Sequence, residues 1–365
     1  MPKRTVAVAK QHDTLFDLVS RGRSGPGGRI RLSPGQLEEV ARTVRRTPEV
    51  MVKVSGGARD TGGAKAHFDY IDRHGKLEIH TDDGREIIGK DAAAELVDDW
   101  NLDMSKGQYR PAPAEGEKDN RPKVVHNIVL SMPAGTDAPS VLAAAKKFAR
   151  ENFAMQYRYA MVLHEDQKHP HVHLVVKAEH EYEPGKRLYI RKATLQQWRE
   201  DFAVALREQG VAANATPRQV RGENRTNKKD AIHQRLKDIA DYEQLPADEK
   251  AKRRAPKDST FMRRKVEEVA KELKAGTLVD EPGKEKLKET RKAVREGWIA
   301  TAEVLRAQGQ AELAKEAEAY AKAMPPPRTD KEMIAAGLLA QIEAQRQRGS
   351  RAPKAPDVAK KRGGG

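Results

Sequence analysis

The chain contains no cysteine, which excludes disulfides and thiolate metal sites and leaves His, Asp and Glu to hold any ion. Aromatic residues are 5% of its 365 residues, so the apolar side chains of a core have to be concentrated in one part of the chain. No apolar run approaches the roughly 18 residues of a membrane span, and the opening MPKRTVAVAKQHD lacks the apolar segment of a secretory signal. These absences predict a soluble intracellular protein.

Charge is what the chain has in excess. Lys and Arg number 69 against 54 Asp and Glu, a net charge of +15 with a pI near 9.7. That balance favours a polyanionic partner, nucleic acid before an anionic membrane surface, and fits a ribosomal or nucleoid protein as well. The length suggests two domains.

The most informative stretch runs from Tyr157 to Lys177 and centres on HEDQKHPHVH, His164 to His173. Tyr159, Met161 and Leu163 alternate before it, and Val172, Leu174 and Val176 alternate after it, which predicts two antiparallel strands joined by a six-residue loop. In such a hairpin His164 and His171 lie opposite one another, and His173, two residues on, points to the same face. Three imidazoles then converge as candidate metal ligands, while Met161, Leu163, Val172, Leu174 and Val176 form an apolar face to bury against helices. In the loop, Asp166 either orients a ligand imidazole through its second nitrogen or stabilises the turn.

Taken in order, residues 1–48 read as a basic leader with a Gly-rich break at 24–28 and a helix from Ser33, carrying Leu37, Val40 and Val44 on one side. A buried strand follows at Val50 to Val54. The segment KAHFDYIDRHGKLEIH reads as a helix stopped by Gly75 and then a strand from Lys76 to His80, with Tyr70 near the helix end, three residues after His67 and beside Arg73. A second helix spans Ala92 to Trp100, a central strand VVHNIVLS ends at Ser131, and a further helix opens at Asp137 or Ser140 and runs to about Phe153. After the hairpin come a short strand, Arg187 to Ile190, and an amphipathic helix from Thr194 to Gln209. This order predicts an α+β domain with an antiparallel sheet and helices on one face. The expected divisions are the leader to 48, the folded domain over 49–225, a charged helical region over 226–348, and a disordered basic tail over 349–365. The helical region breaks into segments at roughly 228–243, 258–275, 284–323 and 329–347.

The blocks FDYIDRHGKLE, VHNIVLSMPAGT and HEDQKHPHVHLVV, in that order, with LYIRKATLQQW and Arg221-Gly222 beyond them, resemble the conjugative DNA relaxases of the P mobilisation class, and within it the T-DNA border endonuclease branch of the HUH endonuclease superfamily. The resemblance covers about residues 50–222. It implies a five-stranded antiparallel sheet with helices behind it, Tyr70 as nucleophile, and His164, His171 and His173 as metal ligands. It also implies that Ser131 contacts DNA near the scissile phosphate and that Asp166 and His169 support the site. In this chain Tyr70 stands behind an additional leader, whereas the family's nucleophile is usually close to the N-terminus.

The implied reaction is site-specific nicking of single-stranded DNA at a transfer origin, leaving a 5′-phosphotyrosyl adduct that can be rejoined without ATP. The resemblance implies Mg²⁺ or Mn²⁺, although three imidazoles by themselves suit Zn²⁺ better. Arg73, Lys168, Arg187, Arg191 and Lys192 are basic residues expected near the site, Arg73 as a DNA contact. Implied partners are single-stranded and supercoiled plasmid DNA, an accessory relaxosome protein, a coupling protein and a type IV secretion system. The implied location is the bacterial cytoplasm, with export into a recipient cell. A rolling-circle replication initiator with the same chemistry and a non-catalytic DNA-binding mobilisation protein are the alternatives.

Overall fold

The computed structural model describes residues 31–102, 110–166, 169–223, 242, 244–252, 255 and 260–350. The Gly-rich break at 24–28, most of the helix expected over 228–243, Lys168 and the tail beyond 350 lie outside them. The described residues fall into two compact units, one within 31–217 together with Ala300–Tyr320, the other within 218–299 together with 321–350.

In the first unit, strands β1 (Met51–Gly56), β2 (Ile79–Thr81), β3 (Glu86–Ile87), β4 (Val125–Ser131), β5 (Tyr159–His164) and β6 (His171–Lys177) form one antiparallel sheet in the order β1-β4-β6-β5-β2-β3. The sheet therefore has six strands rather than the expected five. The addition is β3, which a turn at Thr81 to Arg85 folds back so that Ile79 meets Ile87 and His80 meets Glu86. A strand of two residues is too short to show alternation in a sequence. The strand expected at Arg187 to Ile190 shrinks to a single bridge between Glu179 and Arg187. Leu188 and Ile190 pack on the core instead of extending the ladder.

Helices cover both faces, not one. On the first face α4 (Ala138–Phe153) and α5 (Lys192–Glu208) bury Phe148, Phe153, Trp198 and Phe202 against Ile128, Leu130, Met161, Val172, Leu174 and Val176. On the second, α2 (Thr61–Ile71) and α3 (Ala92–Trp100) bury Phe68, Ile71, Leu96 and Trp100 against Ile79, Val125, Ala160, Val162 and Val175. The physical reason lies in the strands: both parities are apolar toward the Lys177 end of β6, so both faces have surface to remove from water.

Helix α1 (Pro34–Val44) starts with a capping box in which Ser33 and Gln36 satisfy each other's backbone N–H groups. It packs on the fold, burying Val40 and bonding Thr43 Oγ1 to Thr216 Oγ1 at 2.7 Å. Leu32 exchanges two hydrogen bonds with the side chain of Gln308, of 3.0 and 3.1 Å.

The second unit draws on α6 (Ala247–Lys252), α7 (Thr260–Ala275), the larger part of α8 (Lys284–Ala307) and α10 (Asp330–Ser350), whereas nearly all of α9 (Ala311–Lys322) belongs to the first. The single helix expected over 284–323 is interrupted between α8 and α9, where Gly309 takes φ 79°, a conformation that terminates helices. This unit has an interior of its own. Trp298 Nε1 donates to Val220 O at 3.0 Å, Arg291 donates to the carbonyls of Gly222 and Pro325, and Lys331, 8% exposed, pairs with Glu272. No helix among the described residues is long and apolar enough to cross a membrane.

Candidate active site

The β5–β6 register places His164 opposite His171 and Val162 opposite His173, as the alternation predicts. Their imidazoles share the second face and are neighbours, with ring centroids 4.5 to 5.1 Å apart. One ligand nitrogen from each lies within 4.8 Å of the others. Along this face the strands change from Val175, Val162 and Ala160 to the three histidines, and the apolar cover of α2 and α3 stops at that boundary.

The donor set fits a bound divalent ion. A ligating imidazole needs its other nitrogen engaged. His164 Nε2 donates to Ile71 O at 2.5 Å, leaving at Nδ1 a lone pair that accepts from Arg73 at 3.3 Å, a contact that a bound ion would replace. His171 Nδ1 donates to His169 O at 3.0 Å, leaving Nε2. Burial, then the neighbouring imidazoles, pushes the His173 pKa down to about 3, and burial lowers that of His164, so both rings are neutral donors at pH 7.

Asp60 caps α2, its side chain accepting from Gly63 N–H, so the helix begins four residues before the expected Lys65. The last turn carries His67 and Tyr70, and the chain leaves it through three successive residues of positive φ: Arg73 (57°), His74 (58°) and Gly75 (80°). A Cβ at Gly75 would collide with the backbone of Gly89, so only glycine closes this turn. The turn aims Arg73 back across the site. Its guanidinium donates to Asp166 Oδ2 at 2.6 Å and to His164 Nδ1 at 3.3 Å, and lies 5.4 Å from the centroid of the Tyr70 ring.

Tyr70 itself is 57% exposed. Of the two roles open to Asp166, the structure shows a third: its carboxylate holds Arg73, and burial, which would raise its pKa, is outweighed by that hydrogen bond and charge. Ser131 pairs with His171 in the β4–β6 register and is 5% exposed, its hydroxyl donating to Pro170 O at 3.2 Å. Arg187 is not beside this site. It lies past the Lys177 end of β6, bridged to Glu179, with its guanidinium on Lys123 O.

Sequence reasoning passed over His67 except as a landmark for Tyr70. Its ring lies 6.3 Å from those of both Tyr70 and His173, and burial lowers its pKa. The i,i+3 spacing to Tyr70 was the available signal. A second group able to hold an ion, Glu78, His80 and Glu86, lies on the β2–β3 edge. There the imidazole already sits between two carboxylates, Nδ1 at 3.0 Å from Glu86 and Nε2 at 3.8 Å from Glu78, with Lys146 also on Glu86.

The exposed Tyr70 ring is thus linked to the three converging imidazoles through the Arg73 guanidinium. Residues 86–211 match the family described as Relaxase: MobA/VirD2-like, nuclease domain, which establishes the relaxase resemblance over that stretch; Tyr70 precedes it. Over 138 residues the chain is 28% identical to the T-DNA border endonuclease VirD2 of Rhizobium radiobacter, covering 35% of this chain and 31% of that protein. It is likewise 28% identical to VirD2 of Rhizobium rhizogenes, covering 35% and 30%. The chain thus spans about a third of the length of these relatives. Two solved structures also align. One is described as "Molecular Basis of Vancomycin Resistance Transfer in Staphylococcus aureus" (TM-score 0.28, 14% identity, 47% of this chain and 99% of the other). The other is a Mn-bound MobM relaxase domain with plasmid oriT DNA (TM-score 0.33, 12% identity, 52% and 98%).

Proposed function

We propose that this chain is a DNA relaxase that nicks one strand at a transfer origin through Tyr70 and remains attached to the 5′ end. The observation that carries the reading is the exposed Tyr70 ring at the open end of the three-His face, joined to it by Arg73. The match of residues 86–211 to a relaxase nuclease family supports it.

In this reading Tyr70 Oη attacks phosphorus, the bond to the 3′ oxygen breaks, and the proton given up by the phenol is matched by one taken up at the departing 3′ oxygen. One phosphodiester bond replaces another, so the strand can be rejoined without ATP. Mg²⁺ or Mn²⁺ held by His164, His171 and His173 would supply positive charge to a non-bridging phosphate oxygen. Arg73 contributes a fixed positive charge beside Tyr70 and donors for the phosphate. Asp166 holds that guanidinium across the site, and Ser131, beside His171 in the register, fixes the loop edge of the imidazole cluster through its bond to Pro170 O, near the path of the strand. DNA lies single-stranded across the His end of the face, its backbone met by basic side chains.

Residues 49–225 form the catalytic part in this account, with 1–48 as the basic leader and 226–348 as a docking region. The docking region and the basic tail over 349–365 engage a coupling protein and a type IV secretion system, with an accessory relaxosome protein at the origin. Cleavage takes place in the bacterial cytoplasm, before export with the DNA.

The test is incubation of the purified protein with supercoiled DNA of its own plasmid or element and Mn²⁺, followed by detergent and protease. Relaxed circles carrying peptide on the 5′ end, lost in Tyr70→Phe with DNA binding retained, are expected. Binding with no relaxation by the wild type would contradict the proposal.

A further inference from the structure

We propose that His67 is a positioning residue for the three-His centre, the hydrogen-bond partner that orients His173. This rests on the reading of His164, His171 and His173 as a metal centre. Two of those rings have an evident second partner, the carbonyls of Ile71 and His169. The third does not: His173 Nδ1 is enclosed by protein and has no hydrogen-bond partner among the described residues. His67 Nε2 is enclosed and partnerless in the same way. The two rings are neighbours, edge to face, at 6.3 Å between centroids and 68° between planes.

Two buried, unsatisfied nitrogens on adjacent rings are complementary once tautomers are assigned. His173 with its proton on Nδ1 is a donor there and keeps the Nε2 lone pair for an ion, and His67 with its proton on Nδ1 is an acceptor at Nε2. At this ring separation the link runs through one water, the usual way in which enclosed polar groups out of direct reach are satisfied. All three imidazoles then have an orienting partner. Because Tyr70 lies one turn beyond His67, 6.3 Å away with the planes 26° apart, the helix that carries the proposed nucleophile also fixes a metal ligand.

The rival explanation is that His67 packs as a ring against Tyr70, in which case any flat ring would serve. Four variants of the full chain, His67→Ala, His67→Phe, His67→Gln and His164→Ala, separate the two explanations in Mn²⁺ titrations read by the electron paramagnetic resonance of free ion, with folding followed by circular dichroism. The wild type is expected to bind one Mn²⁺, with affinity lost in His164→Ala. His67→Ala and His67→Phe should weaken it about 10- to 100-fold, the usual cost of losing an orienting partner. His67→Gln, whose amide oxygen can accept, should stay near wild type. Wild-type affinity in a folded His67→Phe protein would overturn the role of His67 while leaving the metal centre intact. Absence of Mn²⁺ binding by the wild type would overturn both, and is visible without any variant.

Discussion

The two faces of the central sheet are made by the same strands and differ in what those strands do along their length. Toward α4 and α5 the side chains of β4, β5 and β6 are apolar but for His126, and Phe148, Phe153, Trp198 and Phe202 meet edge to face above them. Toward α2 and α3 the pattern begins the same way, with Val175, Val162 and Ala160, then changes to imidazoles at His173, His164 and His171. One face spends its whole area on stability. The other divides its area, and helix α2 ends where the division falls, which brings Tyr70 to the polar end.

That contrast can be broken from either side, and the largest effect is expected on the first face. Phe148 is fully buried and touches three aromatic rings, so Phe148→Ala should cost about 3–5 kcal/mol in urea unfolding. Adduct formation per folded molecule should be unchanged; a loss of activity in folded protein would show that the faces are not separable. Next comes His126, a titratable residue on the apolar side, whose pKa is pushed down to about 4 by burial and then by Lys123 and Arg187, against a hydrogen bond to Leu188. Between pH 6.5 and 4 the unfolded chain then binds more protons than the folded one. Stability is complete above pH 6.5 and falls as the pH drops toward 4, by up to about 3 kcal/mol. His126→Gln should flatten that slope in unfolding curves taken at each pH, and an unaltered slope would contradict the assignment. The smallest effect is at Arg73, where Arg73→Lys keeps the charge but not the planar guanidinium whose Nη2 meets both Asp166 and His164 and which lies against the Tyr70 ring. Single-turnover nicking should slow about tenfold with melting temperature unchanged.

Much of this was legible in the residues. The hairpin and its facing histidines follow from strict alternation on both sides of HEDQKHPHVH, and the register bears this out. Tyr70 at the end of a helix beside Arg73 followed from the Gly75 stop. Where the reading failed, the signal was absent or shared. Two-residue β3 has no period to detect, and the bend at Gly309 looks in sequence like one glycine in a long charged helix. The second helical layer was missed because the hairpin was read as one apolar face and one three-His face, which left out that the His parity turns apolar at Val162 and Val175 and needs a cover of its own. Arg187 looked close to the site in sequence but follows β6 beyond its far end, and the folding of the charged segment around Trp298 rests on contacts distant in the chain.

The central claim is that the polar end of the second face is a nucleophilic centre built on Tyr70. Its most direct test is peptide mapping by mass spectrometry of the protein–DNA adduct formed on the supercoiled DNA of its own element with Mn²⁺. A nucleotide-bearing tryptic peptide that contains Tyr70, modified at its phenolic oxygen and absent from Tyr70→Phe, is the predicted result. An adduct on another residue, or relaxation with free DNA ends and no adduct, would contradict the account.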